Sequence, residues 1–142
     1  MRASLMPQRV TRSRSEHRLM PAMVTLDRER GIRITSAVGP MRWIDFLEIH
    51  RMIAGDPSLA TATRMLVDLQ HASLEGITRA DVQAAVNLPR LPRQADSRLA
   101  IVTNSPAVYG MSRMYAMMQV IRRAGDVQVF TTLDEAMTWL VQ

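Results

Sequence analysis

Residues 98–142 decide the fold: RLAIVT (98–103), SPAVYGMSRMYAMMQVIRRAG (105–125), DVQVF (126–130) and TTLDEAMTWLVQ (131–142). Leu99, Ala100, Ile101 and Val102 form a short continuous apolar run, the pattern of a strand buried on both faces. Ser105-Pro106 starts a helix: the hydroxyl caps free amides, and proline fits the first helical position because its missing N–H is not needed there. Apolar residues then recur at Val108, Met111, Met114, Tyr115, Met118 and Ile121, the spacing of one helical face. Arg122 and Arg123 suit a last turn, where each positive charge contributes roughly 0.3–1 kcal/mol against the helix dipole. Gly125 supplies a left-handed closing residue. Val127, Val129 and Phe130 read as a second strand. Thr132 with Glu135 is a capping box opening a last helix that carries Ala136, Trp139 and Leu140. Two short strands joined by one helix imply a parallel pair and a right-handed crossover.

Working outward, the 142 residues suffice for one domain that needs no disulfide or metal staple. The chain has no cysteine, which excludes thiol catalysis, cysteine-ligated zinc and disulfides and fits a reducing, cytoplasmic setting. All 18 basic residues are arginine, so a lysine Schiff base and a lysine-bearing phosphate loop are excluded too. The net charge of +5 is uneven. Residues 1–21 hold five arginines (Arg2, Arg9, Arg12, Arg14, Arg18) against Glu16 alone. The remainder is nearly neutral, a poor base for binding nucleic acid through its backbone.

Residues 1–21 show no apolar periodicity and are expected to be a disordered Arg/Ser-rich tail. They lack the apolar core of a secretory signal. Their composition also suits an organelle transit peptide, or a chain whose translation starts at Met20 or Met23. The domain is expected over residues 22–142. Met23 to Asp27 and Ile32 to Val38 alternate apolar and polar residues around Arg-Gly, a hairpin, which Gly39-Pro40 should break. Met41 to Ala54 is read as an amphipathic helix with Trp43, Phe46, Leu47, His50 and Ile53 on one side, ended by Gly55-Asp56-Pro57. Met65 to Leu69 is a buried strand. Thr78 with Asp81 caps a helix from Arg79 to Leu88, with Val82, Ala85 and Val86 facing in. Leu88-Pro89-Arg90-Leu91-Pro92 cannot continue it. The expected fold is a single α/β domain with four helices and a mostly parallel five-stranded sheet that opens with an antiparallel hairpin. Its order is β-β-α-β-α-β-α-β-α. No internal repeat and no membrane-length apolar span is seen.

Chemistry is sparse. His17, His50 and His71 are not spaced as metal ligands. Ser112 sits in Gly-x-Ser without the second glycine and inside a helix, not at a strand-to-helix elbow, so it does not read as a nucleophile. No glycine-rich phosphate loop and no paired carboxylates stand out. Neither metal nor cofactor is expected. The 12 methionines, four of them at 111, 114, 117 and 118, fill a core or form an adaptable apolar surface. Gly110 in mid-helix costs roughly 1 kcal/mol against alanine; it is either tolerated or marks close approach of a strand, helix or ligand. Tyr109, Arg113 and Met117 recur at four-residue steps beside the apolar face, a stripe on which a guanidinium is flanked by apolar groups.

Leu99-Ala100-Ile101-Val102, Val108-Tyr109-Gly110-Met111 with Arg113-Met114-Tyr115, and Val129-Phe130 followed by Leu133-Asp134-Glu135-Ala136 and Trp139-Leu140 together resemble the SpoIIAA-like family of bacterial proteins, the STAS/SEC14 domain proteins. Leu66-Val67-Asp68-Leu69 and Gly76-Ile77-Thr78 fit as well, so the likeness spans residues 23–142. It implies the α/β fold shared by anti-sigma-factor antagonists and lipid-binding CRAL-TRIO domains, and a non-enzymatic regulatory or binding module. In the antagonists, an Asp-Ser-Ser-Gly-like loop after the third strand carries a serine that a partner kinase phosphorylates. The corresponding region here is Leu74-Glu75-Gly76-Ile77-Thr78-Arg79. Thr78 is its nearest hydroxyl, and a helix cap explains it better than a switch. The first expectation is therefore a module that binds a protein partner or itself through Tyr109, Arg113, Met114, Tyr115, Met117 and Met118. The alternative is a carrier or sensor of a small apolar, lipid-like molecule at the same residues. An enclosed apolar cavity beside the methionine-bearing helix favours the carrier, an open patch the module.

Overall fold

The structure, a computed structural model, describes residues 8–9, 22–88, 96–121 and 125–142, the side chains of 8–9 and 119–121 excepted. Its elements run β1 (Gln8–Arg9), β2 (Ala22–Asp27), β3 (Ile32–Pro40), α1 (Trp43–Ala54), α2 (Pro57–Ala60), β4 (Arg64–Ser73), α3 (Arg79–Val86), β5 (Arg98–Val102), α4 (Pro106–Ile121), β6 (Asp126–Phe130) and α5 (Leu133–Leu140). The expected order holds, with a two-residue strand added at one edge and a short helix added in the middle. Arg122, Arg123 and residues 89–92 of the expected connector lie outside the described residues, as does the rest of the 1–21 stretch.

The six strands lie side by side in chain order. β2 and β3 form the expected antiparallel hairpin, with Gly31 at φ +71° in its turn, and β3, β4, β5 and β6 are parallel. Right-handed crossovers that always step the same way put their helices on one face. One large core accordingly joins Val24, Ala37, Met65, Leu69, Leu99, Ile101 and Val127 of the sheet to Ile49 and Ile53 of α1, Leu59 of α2, and Val108 and Ala116 of α4. A smaller core on the other face joins Ile32, Leu66, Ala100 and Val102 to Ala136 and Leu140 of α5. β5 contributes alternate residues to both, which is why its apolar run is unbroken.

Several boundaries differ from the sequence reading. Gly39-Pro40 does not break β3: Gly39 takes φ +82°, the register shifts between Ser36 and Val38, and the pairing continues to Pro40 opposite Ser73. A proline at the end of a strand removes no needed donor. β4 is correspondingly longer than Met65–Leu69. α1 begins at Trp43, not Met41, because Asp45 accepts hydrogen bonds from the Arg42 backbone N–H (2.8 Å) and its Nη2 (2.9 Å). That pairing holds the Arg42 guanidinium above its usual pKa, through the hydrogen bond first and Asp45's charge second. Asp45, only 1% exposed, and Ile49 join Ile53 on the buried side of α1, while Trp43, Leu47 and His50 are half-buried. Gly55-Asp56-Pro57 ends α1 as expected and also starts α2: Asp56 accepts from the Ser58 N–H at 3.0 Å and Pro57 takes the first helical position. The described residues thus hold five helices rather than four. α3 stops at Val86 instead of Leu88, with Asn87 at its C-cap.

β3 also departs from simple alternation, since Arg33 and Thr35 are buried opposite Ile32 and the half-buried Ile34. Arg33 Nη1 donates to the Leu59 carbonyl at 3.0 Å, so the charged head satisfies an end of α2. Two more arginines hold the end of α5. Arg64 Nε donates to the Leu140 carbonyl (3.1 Å) and Arg98 Nη1 to that of Trp139 (2.7 Å), the cationic partners that a helix C-terminus favours. Arg98 also lies 5.3 Å from the Trp139 ring centroid, and Trp139 packs on Phe130 at 5.6 Å.

Candidate functional site

α4 runs back from the carboxyl end of β5 to the amino end of β6, so its N-terminal half lies toward Phe130 and its C-terminal half toward Asp126. Its start is as expected, with Ser105 Oγ accepting from the Val108 N–H at 3.4 Å. Its buried line is Val108, Ser112 and Ala116, flanked by Met111 and Tyr115. Ser112, at 5% exposure, is a core position and presents no nucleophile to solvent. Met114 and Met118 are half-buried, on the flank of the apolar face rather than at its centre. Tyr109 is half-buried, Arg113 is exposed, and Met117 is 61% exposed. Gly110 is exposed too, and a Cβ added there would meet nothing within 4 Å, so no part of the described chain approaches it closely.

Arg113 and Met117 come together at the edge of the sheet. With Ala116 of α4 and Val127, Gln128 and Val129 of β6 they line a groove of ≈ 280 Å³ that opens to solvent. Tyr109, Met114, Tyr115 and Met118 are not among its lining residues. Arg113 forms no salt bridge with a described residue. The groove therefore offers a guanidinium, a flexible thioether and a valine-lined strand edge. It offers neither a general base nor a nucleophile.

The β6 edge was not nominated by the sequence reading. β6 is the last strand of the sheet. Its Asp126 N–H donates to the Ser97 carbonyl and its Phe130 carbonyl accepts from the Thr103 N–H. The backbone groups of residues 126, 128 and 130 therefore point toward β5. Successive residues alternate, so the N–H and C=O of Val127 and Val129 point outward, where no described strand lies beside them.

Elsewhere, Thr78 caps α3: its Oγ1 accepts from the Asp81 N–H (3.1 Å), and Asp81 accepts from the Thr78 N–H (2.9 Å). His50 is half-buried on α1, His71 is exposed on β4, and His17 lies outside the described residues. Among the described residues no three His, Cys, Asp or Glu side chains gather as metal ligands, and no helix is long and apolar enough to cross a membrane. Because the described strands lie in chain order, no reversal of strand order occurs among them. The crevice where open α/β sheets usually take ligands forms at such a reversal.

No protein-family model matches the chain, and neither does any curated protein. Among solved structures, it is similar to the crystal structure of an uncharacterised protein of the DUF3478 family, with a SpoIIAA-like fold, from Shewanella loihica PV-4. The two superpose with a TM-score of 0.54 at 16% identity, over 84% of this chain and 93% of that one. The layered sheet, the same-face crossovers and this superposition agree: the chain has a SpoIIAA-like fold.

Proposed function

We propose that the protein is a non-enzymatic, STAS-like association module of the cytoplasm, and that the face shared by α4 and the β6 edge is where it associates. The carrying observation is the open groove in which Arg113 and Met117 stand over the outer edge of β6. A carrier of a small apolar molecule encloses most of its cargo; a side chain as exposed as Met117, beside an open strand edge, suits a macromolecular surface instead. Phosphorylation is not required by this reading, since the Thr78 hydroxyl and backbone N–H already serve the α3 cap.

The test is truncation of the surface. Arg113→Ala and Met117→Ala should each change folding stability by less than about 1 kcal/mol, because neither side chain is buried. Each should nevertheless weaken association of the full chain, read as a lower mean mass in light scattering at matched concentration. Unchanged mass in both variants contradicts the proposal.

A further inference from the structure

Resting on that reading of the α4–β6 face, we propose that its occupant is a second copy of this chain, joined β6 to β6 in antiparallel register about a two-fold axis at Gln128. The outward backbone groups of Val127 and Val129 are self-complementary about that axis. Val127 would exchange both hydrogen bonds with Val129 of the second copy, and Val129 with its Val127. Gln128 would face its own counterpart in the intervening pair without hydrogen bonds. No outward donor or acceptor of the two valines is left over, and the two sheets become one.

Three further observations select this occupant. Native edge strands are usually blunted by proline, lysine or a bulge. β6 has no proline, its one charged residue, Asp126, stands at its very start, and its pairing with β5 shows no register shift. Charge speaks against one other occupant, since Arg113 stands exposed over this edge. The chain's own first 21 residues, with five arginines against one acid, would meet Arg113 with like charge. Finally, the exposed Met117 would lie next to the second copy's α4, which covers an apolar side chain that a lone copy leaves in water.

The chain has no cysteine, so one substitution reports the register. Gln128 is exposed, and Gln128→Cys leaves the core untouched. Pairing without hydrogen bonds puts the facing Cα atoms about 4.5 Å apart, within disulfide reach. Under mild oxidation the full-length variant should form a covalent dimer at least about tenfold faster than Ser58→Cys, an exposed control on α2, because pairing raises the effective thiol concentration. Asp126→Cys, which faces Phe130 of the second copy and not itself, should cross-link no faster than the control. Gln128→Glu should lower the mass of the assembly by setting like charges opposite each other. The proposal is overturned if Gln128→Cys cross-links at the control rate, or if Asp126→Cys matches it. If that happens while Arg113→Ala and Met117→Ala still lower the assembly mass, only the strand pairing fails; if those variants too are silent, the site fails with it.

Discussion

Gly110→Ala isolates a single physical quantity. Gly110 is the fifth residue of the 16-residue α4, is exposed, and does not occupy the left-handed region. A methyl group there meets nothing within 4 Å, so it adds neither strain nor burial. What remains is the backbone entropy that glycine loses on entering a helix, roughly 0.5–1 kcal/mol relative to alanine. The variant should therefore be more stable by that amount, which for a domain of this size raises the thermal midpoint by about 2–4 °C. Denaturant titration followed by circular dichroism measures it directly, and the slope should not change, since the surface exposed on unfolding is the same. A midpoint below that of the parent protein would refute the reasoning, because it would require a neighbour packed against the Gly110 Cα.

Other substitutions test separate parts of the account. Thr78→Ala should cost about 1 kcal/mol through loss of the α3 cap, while Thr78→Asp should be tolerated, since aspartate caps as well and suits the positive helix end; chemical denaturation distinguishes the two. Leu140→Ala, at a position 1% exposed in the smaller core, should cost about 2–5 kcal/mol. It should also weaken the near-ultraviolet signal of Trp139, whose packing depends on the docking of α5.

The order of elements was legible because its signals are local. An apolar run, a Ser-Pro or Thr-x-x-Glu start and a Gly-Pro break each speak within a few residues, and Thr78, Ser105 and Thr132 cap as expected. Boundaries failed where one signal serves two purposes. Gly55-Asp56-Pro57 reads as a stop, yet Asp56-Pro57 is equally a start, and a four-residue helix has no periodicity to announce it. Asp45 and Arg33 look like surface residues by type; Asp45 is buried in a local capping pair with Arg42, and Arg33 where the fold brings the Leu59 carbonyl within reach of its Nη1. The site was half legible. Four-residue spacing placed Arg113 and Met117 on one stripe, but that this stripe overlooks the outer edge of β6, the last of the described strands, follows from strand order. Strand order depends on pairings far apart in sequence, which no local pattern encodes. Met114 and Met118 are half-buried at the flank, because Ser112 and Ala116, small and unremarkable in sequence, let the helix sit closest to the sheet along their line.

The most direct measurement of the central claim is native mass spectrometry of the full chain, purified from its own cells under non-denaturing conditions. The account predicts an assembly, a dimer of this chain where β6 pairing is its basis, without a stoichiometric small molecule. A monomer carrying one apolar molecule per chain would contradict it.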